Sequence, residues 1–161
     1  MGSDSSPDVG SKAPAFTLQG NQGRTVALKD YLGRQNLVLY FYPKDNTPGC
    51  TLEACDFRDT HGKFESSRTV VLGISGDTVE SHERFATRHE LPFPLLSDPG
   101  ASVARAYGAW GKKSFMGREF FGIHRTTFVI DTRGTIRRVY PRVRVKDHAA
   151  EVLKFVRDEL A

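Results

Sequence analysis

Cys50 and Cys55 are the only thiols in this 161-residue chain, and four residues separate them. The first follows Thr47-Pro48-Gly49. Upstream, Leu37-Val38-Leu39-Tyr40-Phe41-Tyr42 is an apolar run of strand length that Pro43 stops. Threonine is a helix-capping residue and proline suits a first helical position, so a helix is predicted from Pro48, with Cys50 third in it. A capping box places a carboxylate there; this chain places a sulfur. An ionised sulfur at that point meets unpaired backbone N–H groups and the positive end of the helix dipole, which favour the nucleophilic thiolate. The chemistry on offer is thiolate attack.

On a continuous helix the Cα atoms of Cys50 and Cys55 stand roughly 8–9 Å apart, whereas a disulfide needs less than about 7 Å. The helix must open before the sulfurs can bond, which favours a transient bridge. Two other readings stay open on spacing alone: a constitutive bridge in a non-helical segment, and a zinc site. The zinc reading lacks ligands, since His61 is the one nearby histidine and sits in a polar, surface-like context.

These residues need elements to hold them. The length suits one domain able to bury about 70% of its unfolded surface without disulfide staples. A charged fraction of 26%, an apolar fraction of 39% and a net charge of +4 are ordinary for a globular protein. No apolar run is long enough to span a bilayer, so no membrane partner is expected. The opening residues lack the blocks of a secretory signal, and two cysteines are too few for a secreted disulfide scaffold. A reducing compartment, the cytoplasm, is expected; an organelle stroma is the alternative if a leader has been removed.

Residues 1–10 are polar and rich in glycine and serine, and read as a flexible leader; residues 11–161 read as a single domain. Phe16 to Leu18 and Thr25 to Leu28 are predicted strands around an Asn21-Gln22-Gly23 turn. Leu37 to Tyr42 is a central strand, followed by a helix from Pro48 to about Glu65. Thr69 to Ser75 reads as a strand covered on both faces. Asp77 and Glu80 form a capping-box signature for a helix ending at His89. Asp98-Pro99 opens a short helix that Gly108 ends. Thr126 to Ile130 and Ile136 to Val145 make a hairpin-like pair, and an amphipathic helix from Asp147 buries Ala149, Val152, Leu153, Val156 and Leu160. The sum is an α/β fold: a central mixed β-sheet with helices on both faces. Ligands bind such sheets beyond the carboxyl ends of strands, which is where Cys50 falls.

The block from Phe41 to Cys55, FYPKDNTPGCTLEAC, closely resembles the peroxiredoxin family, and in particular its peroxiredoxin Q (bacterioferritin comigratory protein) branch. The family's Pro-x-x-x-Thr-x-x-Cys motif falls on Pro43, Thr47 and Cys50, and the branch's resolving cysteine on Cys55. Gly122-Ile123-His124-Arg125-Thr126-Thr127-Phe128-Val129-Ile130-Asp131 is similar to the segment that brings the family's active-site arginine, here Arg125. The similarity runs from about Val9 to the C-terminus.

The resemblance implies a thioredoxin-like fold and a thiol peroxidase acting on hydrogen peroxide and organic hydroperoxides. Cys50 attacks the peroxide and becomes a sulfenic acid. Cys55 condenses with it to an intramolecular disulfide, and thioredoxin or a similar dithiol restores both thiols. No metal, flavin or haem cofactor is implied, and the branch is often monomeric. Ionisation alone is not enough: an ordinary thiol is already about 3% thiolate at neutral pH, so full ionisation gains at most about 30-fold. The rest must come from stabilising charge on the leaving oxygen. That task falls to Arg125 and to backbone N–H groups near Cys50, with the Thr47 hydroxyl orienting the peroxide and Pro43 shielding the thiolate.

Two rival functions remain at this level. A thioredoxin-like disulfide exchanger is disfavoured, because that chemistry uses cysteines two residues apart. A redox-switched binding protein would use the Cys50–Cys55 bond without catalysis. The basic stretch from Arg133 to Lys146 alternates arginines with Val139, Val143 and Val145, the pattern of a solvated sheet face; no nucleic-acid partner is expected, and docking of an acidic reductase is a further reading. Trp110 to Gly122 reads as a long loop with buried anchors or as a mobile apolar wall. His82, His89 and His148 lie in polar helical patterns and are expected to face water.

Overall fold

A computed structural model describes residues 7–160. Its centre is a seven-stranded sheet built from β1 (Thr17–Gly20), β2 (Thr25–Ala27), β3 (Asn36–Phe41), β4 (Thr69–Ser75), β5 (Leu95–Ser97), β8 (Thr126–Ile130) and β9 (Ile136–Tyr140), in the order β2-β1-β5-β4-β3-β8-β9. The neighbours β3, β4 and β5 run parallel and all the other pairings are antiparallel. The sheet is mixed, as expected.

Alternation along β3 explains the two layers. Leu37, Leu39 and Phe41 point to one face, where they meet Tyr107, Ala104 and Phe128 beside the short helix α3 (Ser102–Ala106). Val38, Tyr40 and Tyr42 point to the other, under α1 (Pro48–Ser66), α2 (Val79–His89) and α4 (His148–Glu159). Phe57 and Phe64 on α1 and Val152 and Val156 on α4 are fully buried there. Tyr40 fits because β4 opposes it with Gly73, where any added Cβ would lie 2.9 Å from the tyrosine ring.

Several expectations need correction. Strand β9 ends at Tyr140, not Val145, because Pro141 has no N–H to continue the ladder. The Asp77/Glu80 capping box does not form: Thr78 caps α2 by accepting from Ser81 N, and the Asp77 carboxylate instead accepts from Asp45 N and the Ser75 hydroxyl. Asp98-Pro99 opens a 3₁₀ turn, Pro99–Ala101, before α3. Trp110 to Gly122 is not a loop. It contains a regular two-stranded hairpin, β6 (Trp110–Phe115) and β7 (Arg118–Ile123), turned by Met116 and Gly117, both at positive φ. Phe115, Met116 and Phe121 stand exposed on it.

The histidines differ most. His82 and His148 are buried and His89 is half-buried. His148 Nε2 bonds the Thr127 hydroxyl at 2.9 Å, and His61 packs beside the Phe93 ring. The expected solvated face on β9 is mixed: Arg138 is exposed and stacks over Tyr140 and Phe155. Of the expected leader, residues 1–6 lie outside the described residues; Gly10 N donates to Ile136 O at 2.7 Å. Among the described residues no helix is long and apolar enough to cross a membrane.

Candidate active site

The end of β3 builds the site. After Phe41 and Tyr42 the chain turns through Pro43 to Thr47, with Asn46 at φ 65°, and enters α1. Thr47 is the N-cap residue, Pro48 and Gly49 follow, and Cys50 stands third, 1% exposed. The predicted cap is only half formed. The Thr47 carbonyl accepts the first helical bond from Thr51 N, but its hydroxyl donates to the Lys44 carbonyl at 3.0 Å instead of capping. The first-turn N–H groups beside Cys50 therefore get no help from that side chain.

Register delivers the arginine. Phe41 at the end of β3 pairs with Thr126 at the start of antiparallel β8. Arg125, one residue earlier, thus lies just beyond the β3 terminus, level with the first turn of α1. Its Nη2 donates to Cys50 Sγ at 3.3 Å and its Nη1 to Glu53 Oε1 at 2.7 Å. A fixed fork with several donors can make both contacts at once. Gly49 permits the approach: a Cβ there would lie 3.2 Å from Nη2.

Glu53 lies within the FYPKDNTPGCTLEAC block. It follows Cys50 by three residues on α1, the spacing that puts two side chains on one face, so its proximity was legible. It is 1% exposed, and its Oε2 has no hydrogen-bond partner within the protein. Burial pushes its carboxyl up to about 7, against the charge and hydrogen bond of Arg125, while Asp56 adds to the rise. Tyr40 lies beneath, its hydroxyl also without a protein partner; burial, then the charges of Glu53 and Cys50, raise it well above its ordinary value. Lys113 on β6 donates to Ile123 O at 2.9 Å and is lowered by burial and then by Arg125. The surroundings of Cys50 are thus cationic, with one buried carboxyl.

The Pro43–Thr47 turn is itself pinned. Asp45 accepts from the Tyr42 hydroxyl at 2.6 Å and from Ser81 Oγ at 2.8 Å, and lies 2.8 Å from His82 Nδ1. Its carboxyl is held below the usual range: burial opposes this, but His82, Tyr42 and Ser81 outweigh it. Asp45, Asp77 and His82 place three ligand-type atoms within 4.8 Å of one another. Each carboxylate and each ring nitrogen there already has a protein partner, so the cluster reads as a clamp on the turn.

Cys55 lies on the next turn and a half of α1, and both cysteines are free. It is half-buried, more open to solvent than Cys50. A cleft of about 290 Å³ lined by Pro43, Ala101, Trp110 and Ile123 opens beside the turn and leaves room for a small organic group. The structure thus brings Pro43, Thr47, Cys50 and Arg125 together at one strand end and sets Cys55 further along the same helix.

An AhpC/TSA family model matches residues 9–139. Peroxiredoxin Bcp of Bacillus subtilis (strain 168) is 48% identical over 151 residues, covering 94% of this chain and 96% of the relative. Peroxiredoxin Bcp of Escherichia coli (strain K12) is 42% identical over 150 residues, covering 93% and 96%. Among solved structures, a cysteine-to-serine mutant of Xylella fastidiosa PrxQ superposes with a TM-score of 0.91 at 34% identity over 98% of this chain and 99% of that one. Peroxiredoxin Q of Xanthomonas campestris gives 0.85 at 35% identity over 89% and 90%. With its thioredoxin-like sheet and a cysteine at the mouth of α1, the chain belongs to the AhpC/TSA family, in the peroxiredoxin Q or bacterioferritin comigratory protein branch.

Proposed function

We propose that this thiol-dependent peroxidase works through Cys50 as the attacking sulfur and Cys55 as the resolving one. The observation that carries the reading is the 3.3 Å contact between Arg125 Nη2 and the sulfur at the start of α1. The Cys50 thiolate attacks one peroxide oxygen, the O–O bond breaks, and the pair leaves on the other oxygen, which becomes water or an alcohol on protonation. Charge therefore moves from sulfur to oxygen during the step. In this reading Arg125 and the first-turn N–H groups serve both ends of that movement, the arrangement that lowers a barrier without later reorganisation.

Thr47 orients the peroxide within this reading. Its hydroxyl gives its proton to Lys44 O, which leaves its lone pairs free to accept from a peroxide O–H. Pro43 closes the turn against water. Cys55 then displaces hydroxide from the Cys50 sulfenic acid to form the disulfide. A dithiol of the thioredoxin kind reduces it by exchange, entering at the more open Cys55 sulfur. All these groups come from one chain, and we read the working unit as a monomer in the cytoplasm, where a dithiol pool renews it.

Peroxide consumption with a recycled dithiol tests the reading. The native chain turns over, and Cys50→Ser does not. Cys55→Ser completes the first oxidation and then stalls unless a small thiol is added. Native-rate consumption by Cys50→Ser would remove the assignment, and light scattering of the reduced and oxidised forms decides the monomer.

A further inference from the structure

Cys55 Sγ lies 4.0 Å from Nδ1 of His89, the last residue of α2. Among the described residues no other group is hydrogen bonded to the ring nitrogens of His89, so Nδ1 can offer its lone pair to the thiol. One turn along α1, Arg58 Nη1 donates to the His89 carbonyl at 2.9 Å and ties the end of α2 to α1 beside the sulfur. The Arg58 guanidinium also attracts an ionised Cys55. The Phe85 ring, fully buried, stands edge-on to the imidazole at 5.0 Å and fixes its plane. The other charges at the pair are Asp59, bound to Arg58 Nε at 2.9 Å, and Glu90 just beyond α2.

We propose that His89 is a catalytic residue of the resolving step: its imidazole takes the Cys55 proton as that sulfur attacks oxidised Cys50. The proposal rests on the assignment of Cys55 as the resolving thiol. The Cys55 electron pair forms the S–S bond, the S–O bond of the Cys50 sulfenic acid breaks, and hydroxide leaves. His89 holds the thiol proton, which with the hydroxide makes up the water released. Cys55 is oxidised, Cys50 is reduced from the sulfenic level, and the oxidant is the peroxide already consumed.

The fold keeps this pair together while α1 opens. Helix spacing requires the turns carrying Cys50 to unwind before the sulfurs meet. Phe57 and Phe64 are 0% exposed and anchor α1 beyond Cys55, and Arg58 locks that part to α2. Unwinding residues 48–54 brings Cys50 to a Cys55 still seated against His89.

The test separates His89 from the peroxidase reading. In a Cys50→Ser chain, iodoacetamide labels Cys55 with no peroxide present. Adding His89→Gln slows that labelling at neutral pH by about 3-fold or more, because the base that takes the thiol proton is gone. In the two-cysteine chain, His89→Gln leaves peroxide oxidation of Cys50 at the native rate and slows disulfide closure by a similar factor. Added imidazole restores closure in His89→Ala, a rescue that a purely structural role would not give. Native rates of labelling or of closure in the His89 variants overturn the proposal. A native chain that never forms the Cys50–Cys55 bond overturns the resolving assignment, and the labelling arm registers that failure separately.

Discussion

Glu53 and Arg125 meet at 2.7 Å, carboxylate to guanidinium, with Glu53 1% exposed and its second oxygen without a protein partner. Burial lifts this carboxyl to about 7 in the folded chain, against an ordinary value of 4.5. Between those values the folded protein holds a proton that the unfolded chain has released. Stability from this group is complete below 4.5 and is lost as pH rises through about 7. A shift of this size corresponds to something on the order of 3 kcal/mol. Urea midpoints of the native chain should therefore fall between pH 5 and pH 8 relative to Glu53→Gln, which keeps an acceptor for Arg125. His148 and His124, both lowered mainly by burial, tilt the curve the other way, but equally in both proteins. Parallel curves would show that Glu53 is ionised throughout.

Arg125 is asked to hold two groups, and Lys cannot. An ammonium keeps the charge but has no planar fork to span Cys50 Sγ at 3.3 Å and Glu53 Oε1 at 2.7 Å. Losing one placed donor at a reacting centre costs about 100-fold or more in rate. Arg125→Lys should slow peroxide oxidation of Cys50 by about that factor while leaving closure of an already oxidised chain unchanged. Stopped-flow oxidation at several peroxide concentrations reads both steps. A native first step in Arg125→Lys would move the transition-state role elsewhere.

How much of this was legible in the sequence follows from the range of each signal. Cys50, Thr47 and Pro43 share one short segment, and their local order carries strand end, turn and helix start together. Arg125 was legible through its own motif, but its reason, the pairing of Phe41 with Thr126, belongs to the sheet register. Asp45 and Glu53 stood in plain view without roles, since both act through partners or burial that local order does not reveal. His82 and His148 were misread for the same reason: charged neighbours give their helices a polar pattern, while Asp45 and Thr127, both distant in sequence, receive their rings. The β6–β7 hairpin is not legible locally, because its exposed phenylalanines break the apolar–polar alternation that marks a strand.

The clamp on the active-site turn gives a prediction at acid pH. His82 faces acceptors through both ring nitrogens, Asp45 Oδ2 at 2.8 Å and Leu96 O at 3.0 Å. Asp45 answers with a carboxyl held below the usual range, where burial is outweighed by His82, Tyr42 and Ser81. A carboxyl lowered by folding contributes stability above its unfolded value and loses it as pH falls through the folded one. Asp45→Asn should lose about 1–3 kcal/mol at neutral pH, the cost of leaving buried hydrogen-bonding partners unsatisfied, and should no longer show the native loss below pH 4. With the turn released, Thr47 and the first turn of α1 lose their register, so Cys50 oxidation slows as well. Native stability in Asp45→Asn would show that Ser81 and Tyr42 hold the turn without it.

Gly49 offers the sharpest separation of stability from activity. It is the second residue of α1, and the backbone is not at positive φ, so alanine fits the helix there. Replacing glycine by alanine at a compatible site stabilises a protein by about 0.4–1 kcal/mol, because the unfolded chain has fewer states to lose. The new Cβ would, however, lie 3.2 Å from Arg125 Nη2, so the guanidinium must give by a few tenths of an ångström. It cannot do so freely, being held at once by Glu53 and Cys50. Gly49→Ala should keep or raise the urea midpoint while slowing peroxide oxidation of Cys50 by about tenfold, equivalent to about 1.4 kcal/mol at the barrier. The double variant Gly49→Ala with Glu53→Gln should recover part of the rate, since relaxing one anchor lets the arginine shift back onto the sulfur. A native oxidation rate in Gly49→Ala would mean that the Arg125–Cys50 contact tolerates displacement, and placement at the 3.3 Å seen here would not be what speeds the reaction.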